Sequence, residues 1–218
     1  MDIKVNGQVT IVLDLDDTLY NEIDFLKSAY KEIAKEINKS SWIRTYAYML
    51  ALYRAGEDVF SELSKNEGIS KGTLIDKYRQ HEPQIYTFNH VHSFLQKIKN
   101  HSGRIAILTD GRSLTQRNKI KALNISDYID EIFISEEIGS EKPSEENFKK
   151  VENFFKTEKY YYIADNLKKD FIAPNRRGWN TICLIDNGLN IHYYPNFFTK
   201  NEYLPTEFVV SFEELIII

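Results

Sequence analysis

The sequence predicts an α/β fold, a parallel sheet core flanked by helices with an all-helical insert, and three observations predict it. Thr10 to Leu13 is an apolar and β-branched run too short for a helix, and it ends in three carboxylates, Asp14, Asp16 and Asp17. Such a run reads as a strand buried on both faces, the kind found in parallel sheets. From Asn21 to about Gln84 the apolar residues recur at helical spacing. After Pro83 short apolar runs alternate with helical patterns, which signals βαβ units.

The 218 residues suit one medium domain, or a main domain with a smaller insert, and 42% hydrophobic with 13% aromatic residues supply a core. A formal net charge of −4 argues against a nucleic-acid surface, which would be basic. Cys183 stands alone in the apolar run TICLI and reads as a buried small residue in a reducing compartment. The N-terminal MDIKVNGQ has no apolar signal core, and no stretch approaches the roughly 18 apolar residues of a membrane span. The expectation is a cytoplasmic protein with no membrane partner.

Taken in order, the first helix carries Leu26, Ala29, Tyr30, Ile33, Ala34 and Ile37 at i, i+3/i+4 spacing, with Lys and Glu between them. A second places Trp42, Ile43, Tyr46, Met49, Leu50 and Tyr53 on one side. A third holds Val59, Phe60 and Leu63, with Gly68 as a left-handed cap. A fourth holds Leu74, Ile75 and Tyr78 and stops before Pro83. This aromatic stripe reads as helix-packing core.

Beyond Pro83, Val91, Phe94, Leu95 and Ile98 mark a helix that Gly103 breaks. Arg104 to Leu108 is a buried strand leading to Thr109-Asp110-Gly111. Ser113 can cap a helix to about Leu123. A short strand, Glu131 to Ile134, precedes the loop Gly139 to Pro143. Ser144 then starts a helix that turns Phe148, Val151, Phe154 and Phe155 inward. Tyr160 to Ala164 is a strand ending at Asp165. A helical piece to Arg177 stops at Gly178, and Trp179 to Ile185 is another strand. Asn187 to Pro205, with Tyr193 and Tyr194, reads as loop, and Val209 to Ile218 as a last short strand and helix turn.

Strands of a parallel sheet share one carboxyl edge, and open α/β sheets place their ligands there. Asp14 and Asp16, Thr109, Lys142, and Asp165 with Asp170 all fall at such ends or in the loops after them. These residue types suit a phosphoryl group. A carboxylate can act as nucleophile, and a hydroxyl, a Lys and backbone N–H groups can hold phosphoryl oxygens. Clustered carboxylates suit hard Mg²⁺.

The segments VLDLDDTL, IAILTDG, GSEKPS and YYIADNLKKDF, in that order, resemble the haloacid dehalogenase superfamily over essentially the whole chain. The resemblance implies a Rossmann-like core of residues 1–19 and 86–218, with a helical cap domain of residues 20–85. It makes Asp14 the nucleophile and Asp16 the general acid and base. Thr109, with Asp110 beside it, and Lys142 would bind the substrate phosphate, Lys142 also balancing charge at the nucleophile. Asp14, the Asp16 carbonyl and Asp165 would hold Mg²⁺, with Thr18 and Asp170 in support. One departure is Ala164, where the family usually has Gly before the acidic residue.

Asp16 argues for phosphoryl chemistry and against dehalogenation, because a departing alkoxide needs a proton and a halide does not. Ninety-one positions separate Thr18 from Thr109, far more than a single crossover needs, so an insert lies there. Thirty-three separate Thr109 from Lys142, which leaves no room for a second cap. A cap over the site suggests a small soluble phosphate ester such as a nucleotide or sugar phosphate. With ten Lys/Arg and ten Asp/Glu between Tyr20 and Ile85, the insert is no anion funnel. Arg44, Arg54 and Arg79 read as solvated, with Arg112 better placed for phosphate. Asp17 reads as local polar structure, and His81, His90, His92, His101 and His192 as surface or hinge residues. The expected function is a Mg²⁺-dependent phosphatase working through an aspartyl phosphate. A phosphomutase of the same family, or a regulatory member without turnover, is the alternative.

Overall fold

The computed structural model describes residues 1–192 and 195–218. In chain order these begin with β1 (Asp2–Ile3) and β2 (Val9–Leu13), followed by α1 (Glu22–Ile37), α2 (Trp42–Arg54), α3 (Val59–Glu67) and α4 (Lys71–Gln80). Next come α5 (Val91–Asn100), β3 (Arg104–Thr109), α6 (Ser113–Ala122), β4 (Glu131–Ile134), α7 (Ser135–Ile138) and α8 (Glu145–Phe155). The chain closes with β5 (Lys159–Ala164), α9 (Ile172–Arg176), β6 (Asn180–Leu184), β7 (Glu207–Val209) and β8 (Ile216–Ile217).

Six strands form one sheet in the order β4-β3-β2-β5-β6-β7, every pair parallel. This is the Rossmann-like α/β core that the alternating pattern predicts. Strand side chains alternate between faces, and the two faces fill separate cores. Ile11, Leu13, Ile105, Ile107 and Ile163 join the α5 cluster, whereas Val12, Ala106, Leu108 and Tyr162 pack with α8. A third cluster lies among α1 to α4, centred on Tyr30, Ile33, Met49, Leu63 and Leu74. Among the described residues no helix is long and apolar enough to cross a membrane.

Local signals account for some of the helix ends. Asp58 accepts the Ser61 N–H at 3.0 Å to start α3, and Ser70 accepts the Thr73 N–H at 3.1 Å to start α4. Gly68, at φ 68°, ends α3 in the left-handed cap that glycine favours. Gly103 is required by close approach: a Cβ there would lie 2.5 Å from Val5 Cγ1 and 2.7 Å from Ile98 Cγ2.

Several expectations need correction. Ser113 does not cap α6 with its side chain; it is the first helical residue, and the Glu136 carboxylate accepts its N–H at 2.7 Å. A distant carboxylate at the helix start complements the orphan N–H groups and the dipole, and no local pattern announces it. Phe154 is exposed, because the stripe Phe148, Val151, Phe155 leaves it off the buried face. Ile43 is likewise exposed at the margin of the α2 stripe. The last residues form β7, a 3₁₀ turn at Phe212–Glu214, and β8, which pairs in parallel with β1. In the segment read as loop, Asn201–Tyr203 is a 3₁₀ turn, while Tyr193 and Tyr194 lie outside the described residues.

Candidate active site

The strand order reverses beside β2, since the chain runs from β2 to β3 and β4 on one side and then returns to β5 on the other. Ligand sites of open α/β sheets lie at such a reversal. Register places Leu13 beside Ile107 and Ile163, so Asp14, Thr109 and Asp165 emerge together at one rim. The Asp14 N–H continues the ladder by donating to the Ile163 carbonyl at 2.9 Å. That bond fixes the backbone of Asp14 at the strand end.

Lys142 reaches the rim from the loop between α7 and α8. Its N–H donates to Asp110 Oδ1 at 3.1 Å, so the Asp110 carboxylate ties this loop to the end of β3. The Lys142 ammonium is buried, 2.8 Å from Asp14 Oδ1 and 2.8 Å from Asp170 Oδ1. It donates to the Tyr162 hydroxyl at 3.0 Å, and that hydroxyl donates to Asp170 Oδ1 at 3.0 Å. Asp170 Oδ2 accepts the Asn166 N–H at 3.1 Å, which sets the turn after β5. Asp165 accepts from the Thr18 hydroxyl at 3.4 Å and from Asn190 Nδ2 at 2.9 Å. Asp14, Asp165 and Asp170 each offer a carboxylate oxygen within 4.8 Å of the others. Three hard oxygen donors in one buried place fit a small divalent cation such as Mg²⁺.

Electrostatics agree with that fit. Burial, followed by the Lys142 charge working the other way and the Asp170 charge adding to it, leaves the Asp14 carboxyl at about 6. Burial, with Asp170 and Asp14 nearby, pushes Asp165 well above the usual carboxylate range. Burial opposes the Lys142 charge, yet Asp14 and Asp170 hold this ammonium well above the ordinary Lys value. The group of carboxylates thus carries more negative charge than Lys142 alone relieves.

Asp16 stands on the other side of the same cleft, which Asp14, Glu22, Thr109, Asp165 and Lys169 also line. Its carboxylate faces α6, not the Asp14 group: Lys119 Nζ lies 2.7 Å from Oδ1 and 2.9 Å from Oδ2. Tyr20 donates to Oδ1, and Gln116 Nε2 donates to Oδ2 at 2.9 Å and to the Thr109 hydroxyl at 2.6 Å. Burial would raise this carboxyl, but the Lys119 charge and these hydrogen bonds carry it below its usual value. Glu22 behaves oppositely: burial and the nearby Asp16 charge push it up to about 8.

The rim therefore gathers Asp14, Asp16, Thr18, Thr109, Asp110, Lys142, Asp165 and Asp170, all named from sequence. Arg112 is turned away, exposed and paired with Glu136 at 2.7 Å. Arg44 lines a different cleft with Ser41 and Tyr48. Asp17 has the structural part expected of it, accepting the N–H groups of Glu22 at 2.7 Å and Ile191 at 2.8 Å. Of the five histidines, His192 is exposed but lines the cleft, and His81 hydrogen-bonds Ser28 at 2.7 Å. Sequence reasoning passed over Tyr162, Lys119, Gln116, Lys169 and Asn190. Only Lys119 carried a local signal, a cation on the helical stripe that Gln116, Ile120 and Leu123 bury.

Residues 11–184 match the haloacid dehalogenase-like hydrolase family. Glyceraldehyde 3-phosphate phosphatase of Methanocaldococcus jannaschii is 24% identical over 198 residues, 80% of this chain and 84% of that one. Pyrimidine 5′-nucleotidase PynA of Streptococcus pneumoniae is 24% identical over 194 residues, 86% of this chain and 78% of that one. Among solved structures, the putative HAD-hydrolase YfnB of Bacillus subtilis, bound to magnesium, superimposes with a TM-score of 0.65 at 20% identity, covering 97% of each chain.

Proposed function

The chain belongs to the haloacid dehalogenase-like hydrolases, and from that premise we propose that it is a Mg²⁺-dependent phosphatase of a small phosphorylated metabolite. The observation that carries this reading is the Lys142 ammonium, 2.8 Å from both Asp14 and Asp170, with Asp165 beside them. Asp14, Asp165 and Asp170, with the Asp16 carbonyl, would hold Mg²⁺, which neutralises charge on the phosphoryl oxygens.

The chain's own residues supply the rest. The Asp14 carboxylate attacks phosphorus, the ester P–O bond breaks, and Asp16 gives a proton to the leaving alkoxide. Asp16 then takes a proton from the water that attacks the aspartyl phosphate, releasing inorganic phosphate and restoring Asp14. Lys142 and the Thr109 hydroxyl hold phosphoryl oxygens. Thr109 accepts from Gln116, so its own O–H remains to donate. Residues 20–85 act as a cap domain that closes over the cleft, excludes water and selects the ester. Glyceraldehyde 3-phosphate and pyrimidine 5′-nucleotides, the compounds that the relatives' names carry, head the substrate panel.

The test is phosphate release from that panel, together with 4-nitrophenyl phosphate, in the presence of Mg²⁺. Turnover is expected, lost on chelation and in Asp14→Asn. A rate indifferent to both would overturn the proposal.

A further inference from the structure

Like charges repel, and Asp165 shares its place with Asp14 and Asp170, each offering an oxygen within 4.8 Å of the others. The Lys142 ammonium pairs with Asp14 and Asp170, so Asp165 meets that repulsion with different partners. The Thr18 hydroxyl, at 3.4 Å, lies beyond the usual O–H···O range, whereas Asn190 Nδ2 donates to Asp165 Oδ2 at 2.9 Å. The amide of Asn190 is the better-made support.

Asn190 comes from the segment after β6, and that segment is tied down around it. Asp186 Oδ1 accepts the N–H groups of Gly188, Leu189 and Asn190 at 2.7, 3.1 and 3.1 Å. Asn187 Nδ2 donates to Asn21 Oδ1 at 2.8 Å, just before α1. The Ile191 N–H donates to Asp17 Oδ2 at 2.8 Å, and its side chain packs against the cluster among α1 to α4. The Asn190 amide is therefore held from both sides before it reaches the rim, and a side chain held in this way can hold another.

We propose that Asn190 is a positioning residue for the metal: its amide keeps the Asp165 carboxylate beside Asp14 and Asp170, against their repulsion. This rests on the reading of Asp165 as a metal ligand. Asn190 acts through Asp165, and the donation leaves the carboxylate further lone pairs for a cation. Hydrogen-bond partners of this kind orient a ligand, and their loss costs about 10–100-fold in metal affinity.

Isothermal titration calorimetry of the full chain with Mg²⁺, in the absence of substrate, tests this. Asn190→Ala is expected to weaken Mg²⁺ binding about 10–100-fold, and Asn187→Ala, which cuts the tie of the same segment to Asn21, by less than about threefold. Melting without Mg²⁺ shows that each variant folds. A role confined to holding the segment would lower the midpoint and leave the affinity of the folded protein alone. An unchanged affinity in Asn190→Ala, or an equal loss in Asn187→Ala, would overturn the proposal. If the wild type itself binds no Mg²⁺, the metal reading fails and takes this one with it; if the wild type binds and Asn190→Ala binds as tightly, only the part given to Asn190 fails. Should Asn190→Ala not fold, Asn190→Leu has a similar size without a donor and carries the same comparison.

Discussion

Magnesium is expected to stabilise this protein against heat, and the size of the effect follows from the carboxylate group at the rim. Asp14, Asp165 and Asp170 crowd within 4.8 Å of one another, and the Lys142 ammonium pairs with two of them. A cation bound only by the folded state stabilises it by RT ln(1 + [L]/Kd), about 2.7 kcal/mol at roughly 100 times Kd. For a chain of this size each kcal/mol moves the midpoint by about 2–4 °C, so the expected rise is roughly 5–11 °C. Protons compete for the same oxygens. The folded-state Asp14 lies at about 6, above its ordinary 3.8. Its contribution to metal-free stability is therefore full below the unfolded value and lost as pH rises through about 6. Magnesium restores what deprotonation removes, so its effect is expected to be large near pH 8 and small near about pH 5. The assay is thermal melting by circular dichroism, with Mg²⁺ or chelator, at both pH values. An unchanged midpoint near pH 8, or the full rise in Asp165→Asn, would refute the reasoning.

Two further outcomes follow from the same site. Tyr162→Phe deletes a hydroxyl shared by Lys142 and Asp170. Leaving those partners a bond short is expected to cost about 1–3 kcal/mol in urea unfolding, and a cost near zero would show that the hydroxyl holds nothing. Glu22 has a folded value raised to about 8, so its stabilising protonated form is lost as pH rises through that value. Glu22→Gln is expected to melt higher than the wild type at alkaline pH and level with it in acid; a pH-independent difference would contradict the burial argument.

Much of the site was legible because polar side chains at strand ends come with apolar runs that announce the strand. The run before Asp14 and the YYYIA before Asp165 each point at a carboxylate. Helical stripes placed α1 to α4 in the same way, since their burial follows a 3.6-residue period. The two-residue strands β1 and β8 had no such signal, because a pair of residues has no period and their pairing joins the two ends of the chain.

The sequence by itself determined the parallel sheet, the helical segment after β2, and which acidic, hydroxyl and lysine side chains meet at the carboxyl edge. It could do so because strand burial and helical periodicity are local, and parallel strands share a direction. Tertiary structure alone decided what each polar group faces. Lys142 divides its charge between Asp14 and Asp170, Tyr162 turns from core aromatic into their hydrogen-bond partner, and Asp16 is held by Lys119 from a helix a hundred residues away. Charge pairing acts through space at a few ångströms, and spacing along a chain does not encode it.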